Sequence, residues 1–185
     1  MSSVRLVRAA LAGGLAALTL VAGAGGCSSG GGKSASAATS SAAADLQAGL
    51  KAHARGQYGQ AIADYNAVLE QDPNNKFALY NLGAIAQIQG RANEAKTDYN
   101  KVLALDPRYN PALFNLAILT SQSGDKTGAI NLYRRAISAN PSDAAAHYNL
   151  GLLLMQTGDR FGGFSEISQA IKLNPSFKTP APTRK

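Results

Sequence analysis

The 185-residue chain suits a single domain and has an ordinary apolar fraction. Its formal charge of +7 falls to +5 once Arg5 and Arg8 are set aside with an amino-terminal targeting segment. Basic and acidic residues alternate along the remainder (Arg91, Glu94, Lys96, Asp98, Lys101), which argues against nucleic-acid binding, since that needs clustered Lys and Arg to displace counterions from phosphates.

The amino terminus reads as a targeting segment over residues 1–26. Arg5 and Arg8 precede an apolar stretch from Ala9 to Ala22, and small residues then lead to Cys27. The stretch falls short of the about 20 strongly apolar residues that a membrane-spanning helix needs. Cys27 is the single cysteine, so no disulfide forms within one chain. Ala24-Gly25-Gly26-Cys27 resembles a bacterial lipobox, although Ala24 stands where that motif most often has Leu. The resemblance implies diacylation of Cys27, export, and a lipid anchor in the cell membrane or envelope. Two acyl chains suffice to hold a protein on a bilayer, at about 0.8 kcal/mol per buried CH₂. The competing reading is an ordinary secretory signal cut at an Ala-x-Ala-like site, with Cys27 a bystander thiol.

Residues 27–44 are nearly all Ser, Gly and Ala, and are expected to form a flexible tether whose end, Ala42–Ala44, joins the first helix. From there a strict period takes over. Pro73, Pro107, Pro141 and Pro175 stand 34 residues apart, and Gly56, Gly90, Gly124 and Gly158 keep the same step. Phased markers at this spacing predict a stacked helical array. In the second unit, Phe77, Leu79, Tyr80, Leu82, Gly83, Ile85 and Ala86 form one apolar face, and Gly90 ends that helix as a left-handed residue. A second helix carries Ala95, Tyr99, Val102 and Leu103 at helical spacing until Asp106-Pro107 stops it.

Small residues recur in the first helices (Gly49, Gly83, Ala117, Gly151) and in the second (Ala61, Ala95, Ala129, Gly163), followed by Tyr65, Tyr99, Tyr133 and Ile167. This pattern resembles the tetratricopeptide repeat. The resemblance implies an all-α, right-handed superhelical solenoid of about four helix-turn-helix repeats, at 42–75, 76–109, 110–143 and 144–177. The first is weak, with Asp45 where a large residue is usual. Residues 178–185, with Thr179-Pro180-Ala181-Pro182-Thr183, are expected to be a disordered tail that offers no capping helix.

By the same resemblance, the first helix of each repeat lines a concave groove. Tyr80-Asn81-Leu82, Phe114-Asn115-Leu116 and Tyr148-Asn149-Leu150 repeat there in register, with Ile118, Leu152 and Met155 further along. Two readings of the asparagines stand side by side. As a ladder they offer donor and acceptor to the backbone of an extended peptide; as packing residues they bond to neighbouring helices. Aromatic residues occupy the position where the family's carboxylate clamp requires lysine, so that specificity is not expected. The last helix carries Phe161 and Ile171, which form a self-association surface if they stay bare.

His53 and His147 lack partners at metal-ligand spacing, and no catalytic constellation appears. No cofactor, metal or enzymatic activity is expected. The sequence points to a membrane-anchored scaffold that binds an extended segment of an envelope protein. Its alternatives are a structural lipoprotein that self-assembles, as a weak homo-oligomer, through its last helix, or an accessory subunit of an envelope enzyme.

Overall fold

A computed structural model of the chain describes residues 33–180; Cys27, the targeting segment and residues 181–185 lie outside it. Among the described residues there are eight α-helices and no strand: α1 Lys33–Ala54, α2 Tyr58–Gln71, α3 Lys76–Ile88, α4 Ala92–Leu105, α5 Asn110–Gln122, α6 Lys126–Ala139, α7 Ala144–Gln156 and α8 Arg160–Leu173. The all-α repeat fold expected from the 34-residue period is the one observed.

Two kinds of turn alternate. After α1, α3, α5 and α7 the chain reverses at Gly56, Gly90, Gly124 and Gly158, which all have positive φ. At the second of these the Arg91 N–H donates to the Ala86 carbonyl (2.8 Å) and the Gly90 N–H to that of Gln87 (3.1 Å), the Schellman pattern that satisfies the last carbonyls of a helix. After α2, α4, α6 and α8 the helix closes on Asp72, Asp106, Asn140 or Asn174. Each side chain then accepts from the N–H two residues on, at 3.0–3.2 Å. These Asx turns precede every new unit, and the fourth leads out of α8.

The described chain forms two compact units, 33–95 and 96–180, whose boundary falls inside α4. In the first, Ala52, Ala61, Tyr65, Val68, Ala78 and Ile85 build the core between α1, α2 and α3. In the second, Leu113, Ala117, Tyr133, Leu150 and Leu153 do so among α5, α6 and α7. Each core uses large residues of one helix against small residues of the next, as the phased Gly/Ala and Tyr positions require.

One element differs from its expectation. Helix α1 begins at Lys33, well inside the stretch read as a flexible tether. The last glycine before it is Gly32, and alanine, the best helix former, then dominates to Ala44. Serine-rich composition alone does not stop a helix once glycine is gone.

Candidate functional site

The first helix of each pair carries one face that the packing leaves partly open. In α5, Pro111, Phe114, Ile118 and Ser121 fall on that face by helical spacing; in α7, Ala145, Tyr148, Leu152 and Met155 do. None of these eight residues is charged. Phe114 and Tyr148 are half-buried, whereas Ile118 and Leu152 are buried. Phe114 packs edge-on against Tyr133, with ring centroids 5.8 Å apart. In the other unit Tyr80 of α3 is buried.

The three asparagines are turned inward. Asn81, Asn115 and Asn149 expose 7%, 6% and 0% of their surface. Asn81 donates to the Phe77 carbonyl of its own helix at 2.8 Å and also bonds His53, whose ring sits edge-on to Tyr58 and Tyr65. Burial lowers the pKa of His53, and the bond from Asn81 opposes that shift in part. Asn149 lies against the Tyr133 hydroxyl, whose pKa is raised, chiefly by burial. Amides buried in this way leave little surface for an incoming chain.

Tyr148 is different, because something already lies on it. Its ring stacks on Phe177, with centroids 4.7 Å apart and planes 24° apart. Its hydroxyl donates to the Lys178 carbonyl at 3.0 Å. The fourth repeat's last residue, Phe177, and the first residue of the expected tail, Lys178, are therefore docked on α7. Sequence reading missed Phe177 as a site residue; the signal was its register, 34 residues after Asp143 and 68 after Tyr109, both helix N-caps.

The remaining singled-out residues lie on or beside α8. Phe161 is 92% exposed and Phe164 51%. Ile171, the other residue of the conditional self-association surface, is half-buried, so of the two only Phe161 is bare. His147 occupies a buried packing position. Its Nε2 faces the Pro141 carbonyl at 3.1 Å and its Nδ1 the Glu166 carboxylate at 2.6 Å, which ties α7 to α8. Among the described residues no group of three His, Cys, Asp or Glu is placed to hold a metal, and no helix is long and apolar enough to cross a membrane.

Two family models match the chain. One, described as TPR repeat, matches residues 49–87 and 120–158; the other, described as Tetratricopeptide repeat, matches residues 77–109. Together they take up more than half of the chain. No curated protein matches. Among solved structures, the MamA protein is similar over 75% of this chain and 76% of its own, at 29% identity and a TM-score of 0.66. PilF of Pseudomonas aeruginosa is 24% identical over 75% of this chain and 64% of its own, with a TM-score of 0.67. A tetratricopeptide repeat protein of Parabacteroides merdae is 24% identical over 75% and 55% respectively, with a TM-score of 0.66. The last two likenesses concern the fold alone.

Proposed function

Because this chain belongs to the tetratricopeptide repeat family, we propose that it is a protein-interaction scaffold that takes an extended peptide segment of an envelope partner along the first-helix face of its repeats. Proteins of this family generally bind other proteins and are generally non-catalytic. The observation that carries the proposal is at Tyr148, where a ring stack and a hydroxyl-to-carbonyl hydrogen bond hold a non-helical stretch of chain, Phe177 and Lys178. Phe114 presents an aromatic of the same register and similar exposure in the preceding repeat. Aromatic side chains bring large contact area at low entropic cost, and they dominate binding surfaces for that reason.

We place the scaffold on the outer side of a bacterial membrane, anchored by acylated Cys27. The lipobox-like run before that cysteine supports this reading. Cys27→Ser is then expected to move the protein from the membrane fraction to the soluble fraction.

A photo-crosslinking amino acid at Phe114 of the full chain tests the binding face. The expected result is a discrete adduct with another protein from position 114, and none from the exposed Arg134 of α6. Equal labelling from both positions, or none from 114, contradicts the proposal. A second reading, self-association through α8, is favoured by the exposure of Phe161 and Phe164. It predicts an adduct of twice the chain's mass from position 161, and a dimer in detergent-free solution once residues 1–27 are removed.

A further inference from the structure

The loop Asn174-Pro175-Ser176 repeats the geometry of Asn140-Pro141-Ser142. The Ser176 N–H donates to Asn174 Oδ1 at 3.0 Å, as the Ser142 N–H does to Asn140 Oδ1 at 3.1 Å. Phe177 thus arrives where Asn75, Tyr109 and Asp143 cap the first helix of a new repeat. Among the described residues no helix follows, and Pro180 biases Thr179 away from the α region. Residues 177–179 join no helix or turn, and a ring stack and a hydrogen bond tie the segment to one side chain of α7, Tyr148. Phe177 is only half-buried, and Ser176, Lys178 and Thr179 are exposed. A segment held so lightly is exchangeable.

We propose that Tyr148 is a receptor for an extended segment carrying an aromatic side chain immediately before the carbonyl that the Tyr148 hydroxyl binds, and that Ser176–Lys178 is a built-in competitor for it. This rests on the scaffold reading above and adds the partner's chemistry and its control. The faces of α5 and α7 around Tyr148 carry no charge, so the partner is read through its aromatic ring and its backbone. Tethering favours the chain's own segment, since an intramolecular occupant acts at an effective concentration on the order of millimolar. A partner must outbid it, and its apparent affinity falls by the fraction of time that the site stands open.

The test uses the full chain and a fluorescent peptide of residues 174–180 (Asn-Pro-Ser-Phe-Lys-Thr-Pro), with binding read by anisotropy. Phe177→Ala vacates the site, and the variant is expected to bind the peptide about tenfold more tightly than the unaltered chain if the segment covers Tyr148 about nine-tenths of the time. Phe177→Ala with Tyr148→Ala should lose that gain, and Tyr148→Phe, which keeps the ring and drops the hydroxyl, should fall between. Equal binding by the unaltered and Phe177→Ala chains overturns the competitor. A gain that survives Tyr148→Ala overturns the receptor. Concentration-dependent dimers that Phe177→Ala abolishes would put the segment in a second copy and overturn the intramolecular arrangement. Circular dichroism shows whether each variant keeps its helices. If crosslinking from Phe114 finds a partner while the peptide result is negative, only this inference fails; if the peptide result is positive while crosslinking finds none, only the scaffold reading fails.

Discussion

Gly151 of α7 and Gly163 of α8 let their two backbones meet without side chains between them. A Cβ at Gly151 would stand 2.7 Å from the Gly163 carbonyl oxygen, and one at Gly163 would stand 2.8 Å from the Gly151 carbonyl oxygen. The other repeats have glycine or alanine at these two positions, and only this one has glycine at both.

Gly151→Ala is expected to destabilise the protein by about 1–3 kcal/mol, because the obstructing atoms include backbone that cannot step aside. The better helix propensity of alanine, about 1 kcal/mol, offsets only part of this. Gly59, near the start of α2, is the control. Nothing lies within 4 Å of the Cβ it would gain, so Gly59→Ala should stabilise by roughly 0.4–1 kcal/mol. Urea unfolding of both variants checks the pair of signs, and a stabilising Gly151→Ala contradicts the close approach.

Tyr65 is fully buried against Gly49, whose missing Cβ would lie 2.6 Å from the Tyr65 ring. Among the described residues its hydroxyl meets no hydrogen-bond partner, and burial, aided by Asp64, raises its pKa. A buried hydroxyl left unsatisfied costs about 1–3 kcal/mol. Tyr65→Phe keeps the ring and removes that cost, so the urea midpoint should rise. A fall in the midpoint would reveal a partner for the hydroxyl.

Much of this architecture was legible because its causes are local and repeated. Gly90 predicts a left-handed turn whatever surrounds it, and Asp106-Pro107 ends a helix by backbone sterics alone. The unread parts depend on neighbours distant in sequence. Asn81, Asn115 and Asn149 have the same spacing whether they bind a peptide or bond their own helices, so periodicity does not separate the two. Phe177 sits beside prolines that suggest a loose tail, and its docking is decided by Tyr148, 29 residues earlier. The start of helix α1 is hard to read for another reason: its serine and alanine suit a linker as well as a helix, and composition alone does not separate the two.

Stability along a repeat array is roughly a sum of local terms, so the same kind of truncation should cost more in the middle than at an end. Leu116 is buried in α5, and Leu116→Ala should cost about 2–5 kcal/mol. Ile171 is half-buried near the end of α8, and Ile171→Ala should cost clearly less. Hydrogen exchange should report the same gradient, with amides of α8 opening before those of α5. Equal losses at both sites would contradict an array of semi-independent units.

The sign of the pH dependence at His53 follows from its setting. Burial lowers its pKa below the ordinary 6.5, and the opposing bond from Asn81 does not cancel the effect. The folded protein therefore resists protonating this ring, while the unfolded chain takes up a proton near 6.5. In the window between the lowered folded value and 6.5 the unfolded state binds more protons, so stability rises with pH there. His53 contributes in full above that window, and the contribution is lost as pH falls through it and constant below it. His53→Gln removes the titration and should flatten the slope of the urea midpoint on the acid side of 6.5, relative to the unaltered chain. An unchanged slope would mean that the ring is as solvated in the folded state as in the unfolded one.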